Sequence, residues 1–539
     1  MAGKTGRGRL PSWVWPVALA VAAIVGFVCY WRLAGTIPDN SDGSDQALQA
    51  WNMTQGNWLL RGWTVGDVSY YTTEIPEYII VEKIIGLGAN VIDVAAAVTY
   101  TLLVLLAGLL AKGRATGREG VIRALIAAGI LLAPELDHGI HLLVSQPDHI
   151  GTQVPLLLIF LVLDRAPRRW YVPVAIAALL AWVIISDRVA VFDAAVPLVV
   201  VCGLRALWAV VRDRKPLASQ WFELSLAAAG IVSFGAAELV VEVIKRLGGY
   251  TSLPLPSPLP SASTLPHHVM LVLKGILDLY GAGFDGISGG AEVAFAVVHL
   301  VGVALALCGF CLAFRRFFST SDLIIPVMAT GIVANVVFYV LSDVPQSWFD
   351  AREIVVILPF GAVLAGRQLA GPLARARLVP VLAVVLACYA AALGYGAAQP
   401  HVVSNGAPAG SSEAPVIPWL EAHHLVTGLG TYTEANIITL ESGGRVAIRT
   451  VTWRSSGAVP RYYESEASWY DPRVSYANFV VENSGDHGGV SLIPQRDILA
   501  LAGPPARTYH YKTFTIMVWN HNLLADLGGP PSPWPGDIP

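Results

Sequence analysis

Three aspartates follow the first apolar segment of the chain at short intervals. The stretch Thr36–Trp51 reads TIPDNSDGSDQALQAW and comes directly after a run of about twenty apolar residues. Asp42 and Asp45 are spaced to share one face at the start of a helix, where the helix dipole favours negative charge. A carboxylate beside a bilayer is costly unless it is solvated or paired, so it often marks a functional site. Both aspartates are candidate general bases, and helix capping by Asp or Ser is the alternative.

A second acidic and aromatic stretch lies further along the same polar segment. It reads GDVSYYTTEIPEYIIVEKI and includes Glu74, Pro76 and Tyr78. Taken alone, the pattern is more typical of an interfacial aromatic belt with a short re-entrant helix than of a reactive site.

The next polar segment of the chain has the composition of a metal site. It contains PELDHGIH, in which acids and histidines recur at helical spacing, a pattern usable by Mg²⁺, Mn²⁺ or Zn²⁺. The candidate ligands are Glu135, Asp137, His138 and His141. A hydrogen-bonded interfacial loop without a metal is the favoured alternative. Asp148 and His149, in QPDHIGTQVP, close the same segment and are expected to face the same vestibule.

Two cationic residues are candidates for binding a phosphate group. Arg352 lies in SDVPQSWFDAREIVVILPFG, at the start of an apolar segment. Its planar guanidinium suits a phosphate because it can donate two parallel hydrogen bonds. The alternative is an interfacial ion pair with Asp350 or Glu353. Lys274, on a predicted amphipathic helix HHVMLVLKGILDLYG, is the second candidate.

The composition identifies a membrane protein. Of 539 residues, 55% are hydrophobic and 14% are charged, and the net charge is −3. A soluble domain carries about 25% charged residues, and the absence of a basic surplus argues against nucleic acid as a partner. All five cysteines lie in apolar runs, so the sequence encodes no disulfide framework.

The apolar runs predict eleven membrane spans in a module over residues 13–397. They are 13–31, 91–111, 120–135, 152–164, 170–186, 190–211, 221–243, 291–314, 322–342, 352–368 and 378–397. The Lys and Arg bias of the loops predicts a cytoplasmic N-terminus over 1–12 and an external C-terminus, in the plasma (inner) membrane. The predicted external loops are 32–90, 135–151, 187–190, 245–290 and 343–351.

The tail, residues 398–539, is predicted to form a small extracytoplasmic α/β domain. NIITLESGGRVAIRTVTW predicts two strands around a Gly-Gly turn, and ANFVVEN and TFTIMVW predict two more. Helices are expected at PVIPWLEAHHL and PQRDILALA. The tail aromatics are expected either to bind an acceptor glycan or, with more weight, to pack a core. These are Trp453, Tyr462, Tyr463, Trp469 and Tyr470.

The order of these motifs resembles the first external loop of the GT-C membrane glycosyltransferases. One span is followed by an acid, then by Met-x-x-Gly-Asn at Met53, then by aromatic-x-x-x-Glu-x-Pro-x-Tyr ending at Tyr78. The layout is most similar to the bacterial protein mannosyltransferase and aminoarabinose transferase branch. The resemblance in layout covers the whole chain, and the motifs cover about fifty residues of it.

The resemblance implies roles for individual residues. Asp42 falls on the family's catalytic aspartate, with Asp45 as the alternate, and the stretch from Glu74 to Tyr78 falls on its Pro-Pro element. Arg352 falls on the arginine that contacts the lipid phosphate. The acidic loop at 135–141 resembles that of metal-dependent oligosaccharyltransferases in the same superfamily, whereas the mannosyltransferase branch is metal-independent.

This sequence departs from the family pattern in three places. Gly43 replaces the usual Glu, Pro76 is the only proline of its element and follows no Lys or His, and Glu353 stands where an aromatic residue is usual.

These observations predict an enzyme that transfers a sugar from a polyprenyl-phosphate donor to an external glycan, lipid or protein, with inversion and Asp42 as general base. The sequence identifies no definite cofactor, and a divalent Mg or Mn ion is an open option. A transporter or flippase for a lipid-linked saccharide is the first alternative, for which paired mid-membrane helix breaks would be expected. A non-catalytic membrane assembly partner is the second.

Overall fold

The computed structural model describes residues 14–252, 260–287, 289–400, 413–454, 457–460, 463–484 and 495–527. The membrane module is built of helices. They are α1 (Val14–Ala34), α2 (Ser41–Thr54), α3 (Glu74–Ile85), α4 (Asn90–Lys112), α5 (Gly117–Ile130), α6 (His138–Leu143), α7 (Asp148–Arg165), α8 (Tyr171–Ser186), α9 (Val196–Val211), α10 (Trp221–Arg246), α11 (Leu265–Leu279), α12 (Gly290–Arg315), α13 (Ile324–Val340), α14 (Ile357–Arg375) and α15 (Val379–Ala397). A π-helical turn, Val191–Ala195, precedes α9, and a 3₁₀ turn, Phe349–Ile354, precedes α14.

Each of the eleven predicted spans coincides with one of these helices, and the predicted amphipathic helix is α11. Within the described ranges, six helices are long and apolar enough to cross a membrane, or seven if the pair Trp348–Ile354 and Ile357–Arg375, bent by 51°, counts as one span. The chain is therefore an integral membrane protein. The count of eleven crossings and the orientation of the termini stay predictions.

The tail forms a mixed sheet flanked by helices. Its elements are α16 (Ile417–Ala422), β3 (Thr427–Gly430), α17 (Tyr432–Glu441), β4 (Ala447–Arg454), β5 (Gly457–Pro460), β6 (Ser465–Glu466), β7 (Phe479–Asn483), α18 (Gln495–Ala502), β8 (Arg507–Tyr511), β9 (Phe514–Val518) and α19 (Leu523–Asp526). The order of the six-stranded sheet is β5-β4-β3-β7-β9-β8, with β3 parallel to both β4 and β7. The predicted small α/β domain is confirmed.

One predicted strand of the tail is wrong. The segment Asn436–Leu440 was expected to be a strand but lies in α17, which begins with a capping box in which Glu434 and Thr431 satisfy each other's backbone N–H groups. Gly443 and Gly444, with φ of 64° and 76°, end this helix and turn the chain into β4, the one strand of the expected hairpin.

The tail is joined to the first polar loop by a shared core and a small sheet. Leu48 and Met53 of α2 belong to the same buried cluster as Leu440, Trp469 and Trp519. A three-stranded sheet adds to the joint, with β1 (Trp63–Val65) between β2 (Thr251–Ser252) and β6. Because α17 packs on α2, the start of α17 is held against the start of α2.

Candidate active site

The candidate base lies at the start of α2. Asn40 caps this helix, because its side chain accepts the Gly43 N–H at 2.8 Å, so the alternative of capping by Asp or Ser does not apply. The Asp42 side chain is therefore available to other partners and is 30% exposed. Asp45 is instead buried, and its carboxylate accepts a hydrogen bond from Gln49 one turn later. Of the two candidates, Asp42 is the one a solvent-borne molecule can reach.

Arg352 connects Asp42 to a second carboxylate. Its Nη1 lies 3.2 Å from Asp42 Oδ2 and 2.9 Å from Asp148 Oδ2, and its guanidinium carbon lies 4.6 Å from the centre of the Phe349 ring. Within the described part of the chain these contacts use Nη1 alone, and the side chain is 25% exposed. The donors on Nε and Nη2 are therefore free to meet an anion.

Asp148 is buried, and its carboxylate fixes the position of Arg352. Tyr70 donates its hydroxyl to one carboxylate oxygen, and Gln146 donates to the other at 3.0 Å. Burial alone would raise the pKa of Asp148, but Arg352, His149 and the hydrogen bonds outweigh it and lower the pKa below its usual value. The backbone of Asp148 has a φ of 35°, a left-handed conformation uncommon outside glycine, and such strain concentrates at functional sites.

His149 connects this cluster to two further acids. Its Nδ1 lies 2.9 Å from Asp187 Oδ2, and its Nε2 lies 2.9 Å from Glu353 Oε1. Burial would lower the pKa of His149, but Glu353, Asp187 and Asp148 raise it well above the usual value, because three carboxylates favour the charged ring. Glu353, at the position where the family has an aromatic residue, therefore serves as a partner of His149.

Glu74 and Tyr78 lie beneath this cluster rather than on its surface. Both side chains are completely buried. Glu74 accepts hydrogen bonds from Thr152 at 3.1 Å and from Thr73, and a Cβ at Gly151 would come within 2.6 Å of its carboxylate. The start of α3 therefore packs closely on α7, and Glu74 supports the site without facing its opening.

Two residues of the tail complete the site, and the sequence analysis did not identify them. Tyr432, the first residue of α17, donates its hydroxyl to Asp42 Oδ1 at 2.7 Å and also contacts Glu464. Burial, together with Asp45 and Asp42, raises the pKa of Glu464 well above its usual value. No local pattern marks either residue, since Tyr432 reaches Asp42 only through the packing of α17 on α2, and Glu464 joins the site through its contact with Tyr432.

Gln146 accounts for one of the departures from the family pattern. A Cβ added at Gly43 would lie 2.9 Å from Gln146 Oε1 and 3.3 Å from Ile92. A glutamate at position 43 would therefore displace the amide that donates to Asp148. Gly43 leaves this space to Gln146.

Lys274 lies close to the site but points away from it. The next residue of α11, Gly275, packs against Ala351, where a Cβ would come within 2.6 Å of the Ala351 Cβ. Lys274 itself is exposed and pairs with Asp285 at 2.8 Å. Because Lys274 pairs with Asp285, Arg352 is the cation next to the candidate base.

The predicted metal ligands make other contacts. Glu135 accepts the N–H groups of Asp137 and Gly139, each at 2.7 Å, and burial raises its pKa to about 7. His138 stacks on Trp348 with ring centres 4.0 Å apart. Across the described residues, no three His, Cys, Asp or Glu side chains converge in a way that could hold a metal ion. The Mg or Mn role, including that of His141, stays a prediction.

Of the five tail aromatics, two are buried in the core, one lies beside the site, and the side chains of two fall outside the described residues. Trp469 and Tyr470 are buried, and Trp469 packs edge-on against Trp63 of the first loop with ring centres 5.0 Å apart. The Tyr463 ring lies 6.1 Å from that of Tyr432, beside the site. The side chains of Trp453 and Tyr462 fall outside the described residues.

Two solved structures share this architecture. The crystal structure of ArnT from Cupriavidus metallidurans in the apo state is 14% identical to the chain, with a TM-score of 0.52 and coverage of 96% of this chain and 100% of that one. The structure of ArnT from the same organism bound to undecaprenyl phosphate is 14% identical, with a TM-score of 0.50 and coverage of 97% and 100%. No protein-family model and no curated protein sequence matches the chain.

At this level of identity the likeness establishes the fold. ArnT, an aminoarabinose transferase, has the GT-C architecture. The fold predicted from the sequence is therefore confirmed: a helical membrane protein with an ArnT-like fold and a small sheet domain at its C-terminal end.

Proposed function

We propose that this protein is a membrane glycosyltransferase that moves a sugar from a polyprenyl-phosphate donor to a hydroxyl of a glycan, lipid or protein on the outer face of the membrane. One observation carries the proposal: an accessible carboxylate and an accessible guanidinium, Asp42 and Arg352, lie 3.2 Å apart. Sugar transfer from a phosphate needs this pair of groups, a base for the attacking hydroxyl and a cation for the leaving phosphate.

The proposed reaction is a single displacement. Asp42 takes the proton of the acceptor hydroxyl as its oxygen attacks the anomeric carbon. The bond from that carbon to the phosphate oxygen breaks, and the phosphate leaves with the electron pair on the opposite side, so the anomeric centre inverts. Arg352 stabilises the charge that develops on the phosphate.

The ion pair between Asp42 and Arg352 suggests how donor binding prepares the base. A phosphate that takes the unused Nε and Nη2 donors of Arg352 competes with Asp42 for the guanidinium charge. Asp148 keeps Arg352 in place through its 2.9 Å contact, while Asp42 turns to the acceptor. Tyr432 remains as a hydrogen-bond donor that orients the carboxylate.

The remaining predicted residues receive supporting roles in this proposal. His149, as an imidazolium between Asp187 and Glu353, positions Asp148 and hence Arg352. Glu74 and Tyr78 position the helices beneath, because neither reaches the surface. Support for a polyprenyl-phosphate donor comes from the ArnT structure bound to undecaprenyl phosphate, since that protein shares the fold.

The test is transfer from a panel of radiolabelled polyprenyl-phosphate sugars, with wild type, Asp42→Asn and Asp45→Asn compared in membranes at equal expression. We expect Asp42→Asn to lower transfer by about 10²- to 10⁴-fold, the usual contribution of a general base. Loss in Asp45→Asn alone would identify the alternate base. Full activity in both would remove the base assignment, and no turnover of any donor would favour a saccharide transporter or a non-catalytic partner.

A further inference from the structure

A large cavity lies at the end of the helical bundle opposite the candidate active site. Its volume is about 860 Å³, and it is lined by the ends of α5, α7, α9, α10 and α13. The two sites are linked by α7, which carries Asp148 at one end and Asp164 at the other. At ~1.5 Å per residue the helix separates them by about 24 Å, so the cavity lies on the other face of the membrane module.

The cavity wall is strongly charged. Its arginines are Arg114, Arg123, Arg165, Arg168, Arg205 and Arg367. Its carboxylates are Glu119, Asp164, Glu223 and Asp322. The wall therefore carries an excess of two positive charges, in a concave space where low-dielectric walls concentrate the field.

Half of these arginines are neutralised within the wall. Arg367 is buried and pairs with two carboxylates, Asp164 at 3.0 Å and Asp322 at 2.6 Å. Two further ion pairs occupy the remaining acids. They are Arg123 with Glu119 at 2.6 Å and Arg168 with Glu223 at 3.2 Å.

The other three arginines, Arg114, Arg165 and Arg205, form no ion pair with any residue that the structure describes. Arg114 uses only Nε, donated to the Asp164 carbonyl at 2.9 Å, and Arg205 uses only Nη1, donated to the Thr320 carbonyl at 3.0 Å. These backbone contacts fix the directions of both side chains and leave most of their N–H groups uncommitted. Three arginines with free donors around one cavity form a receptor for an anion with several oxygens.

We propose that this cavity is a binding site for a phosphate group, separate from the candidate active site and on the face predicted to be cytoplasmic. A membrane lipid headgroup and a soluble phosphate compound offer the same chemistry. Exposed aromatic rings surround the same end of the bundle, as expected at headgroup level: Trp170, Tyr171 and Trp221 are 75%, 48% and 43% exposed.

Arginines in the loops of this face also help to orient the chain in the membrane. The test must therefore distinguish the effect of arginines that line the cavity from the effect of arginines elsewhere on the same face. The cavity variant is Arg165→Gln/Arg205→Gln. The matched control is Arg118→Gln/Arg169→Gln, which removes the same charge from exposed positions that do not line the cavity. Full-length protein is purified in detergent for both.

The lipid arm measures by native mass spectrometry how many phosphatidylglycerol or phosphatidylcholine molecules each protein retains. The soluble arm measures the shift in unfolding temperature caused by inorganic phosphate and pyrophosphate, against sodium chloride of equal ionic strength. We expect wild type and the control to bind and the cavity variant to bind about tenfold more weakly, the typical effect of losing a charged hydrogen bond.

Retention of phosphatidylglycerol alone identifies the ligand as a lipid headgroup, and a shift with phosphate alone identifies a soluble compound. Equal binding by wild type and the cavity variant, equal loss in the control, or no binding in either arm overturns the proposal. A second variant, Glu119→Gln, releases Arg123 from its ion pair and should tighten anion binding, a gain that misfolding cannot produce.

Discussion

Two arginines lie on the same helical run and differ in almost every contact. Arg352 is in the 3₁₀ turn before α14, at the candidate site, and its side chain is 25% exposed with hydrogen bonds from Nη1. Arg367 is within α14, its side chain is 2% exposed, and it donates from Nε, Nη1 and Nη2 to Asp164, Asp322 and the Leu110 carbonyl.

The difference separates an arginine that holds the fold from one that is available to a ligand. Every nitrogen of Arg367 has a partner, so a further anion would have to displace an existing bond. Arg352 contacts two carboxylates through Nη1. Among the described residues these contacts keep the side chain in place and leave its Nε and Nη2 donors unused. Saturation by hydrogen bonds, rather than charge or position in the sequence, distinguishes the two roles.

The largest effect should come from Arg367→Met. Removing this buried guanidinium leaves the partly buried Asp164 and Asp322 without their partner and the Leu110 carbonyl without its donor, which together cost about 3–5 kcal/mol of folding free energy. Thermal unfolding of purified protein measures the effect, with Arg118→Met as an exposed control that should change stability by less than about 0.5 kcal/mol. Equal unfolding temperatures for Arg367→Met and wild type would contradict the structural role.

Arg352→Gln should affect transfer more than folding, because Tyr70 and Gln146 still donate hydrogen bonds to Asp148. Losing one donor that stabilises a developing charge costs about 10²- to 10³-fold in turnover. The measurement is the rate of transfer from the donor identified in the panel, with the unfolding temperature recorded in parallel. Reduced stability with a normal rate per folded molecule would place Arg352 in the same class as Arg367.

Tyr432→Phe tests whether the tail takes part in the site. Loss of the hydroxyl removes one hydrogen bond to Asp42, a contribution of about 0.5–1.5 kcal/mol, so transfer should fall by up to about tenfold. Tyr476→Phe, at a half-exposed position of the same domain, is the control. A decrease of the same size in both variants would show that the effect does not pass through Asp42.

The smallest effect should be a pH dependence of stability caused by His149. Its pKa in the folded protein is raised above the ordinary value of 6.5, so the folded state holds the proton more tightly. The resulting stabilisation of the folded state is fully present below pH 6.5 and is lost as the pH rises through the pKa that His149 has in the folded protein. Unfolding temperatures should therefore fall on the alkaline side in wild type and fall less in His149→Gln. Parallel curves would contradict the charged state of His149.

The fold was largely predictable from the sequence because it depends on composition over long windows. Apolar runs and loop charges identified eleven helices of the membrane module, and β-rich runs identified β4, β7 and β9. The failure at Asn436–Leu440 has a local cause. Its β-branched residues favour a strand, whereas the capping box at Thr431 and Glu434 starts a helix.

The site was predictable only in part. Asp42, Asp148, His149 and Arg352 were each selected from local pattern, and the structure brings them together from three separate segments. The exposure that distinguishes Asp42 from Asp45 has no signal in the sequence.

By itself, the sequence determined that the chain is a membrane protein whose candidate site residues lie in its polar segments, because hydrophobic period and charge are properties of short stretches. Only the tertiary structure decided which charges meet. Tyr432 is 390 residues from Asp42 along the chain, and the two are joined because α17 packs on α2. The same holds for Arg352 and Arg367, which are the same residue type on one helical run. Their roles differ because three-dimensional packing surrounds one with acceptors and leaves the other open.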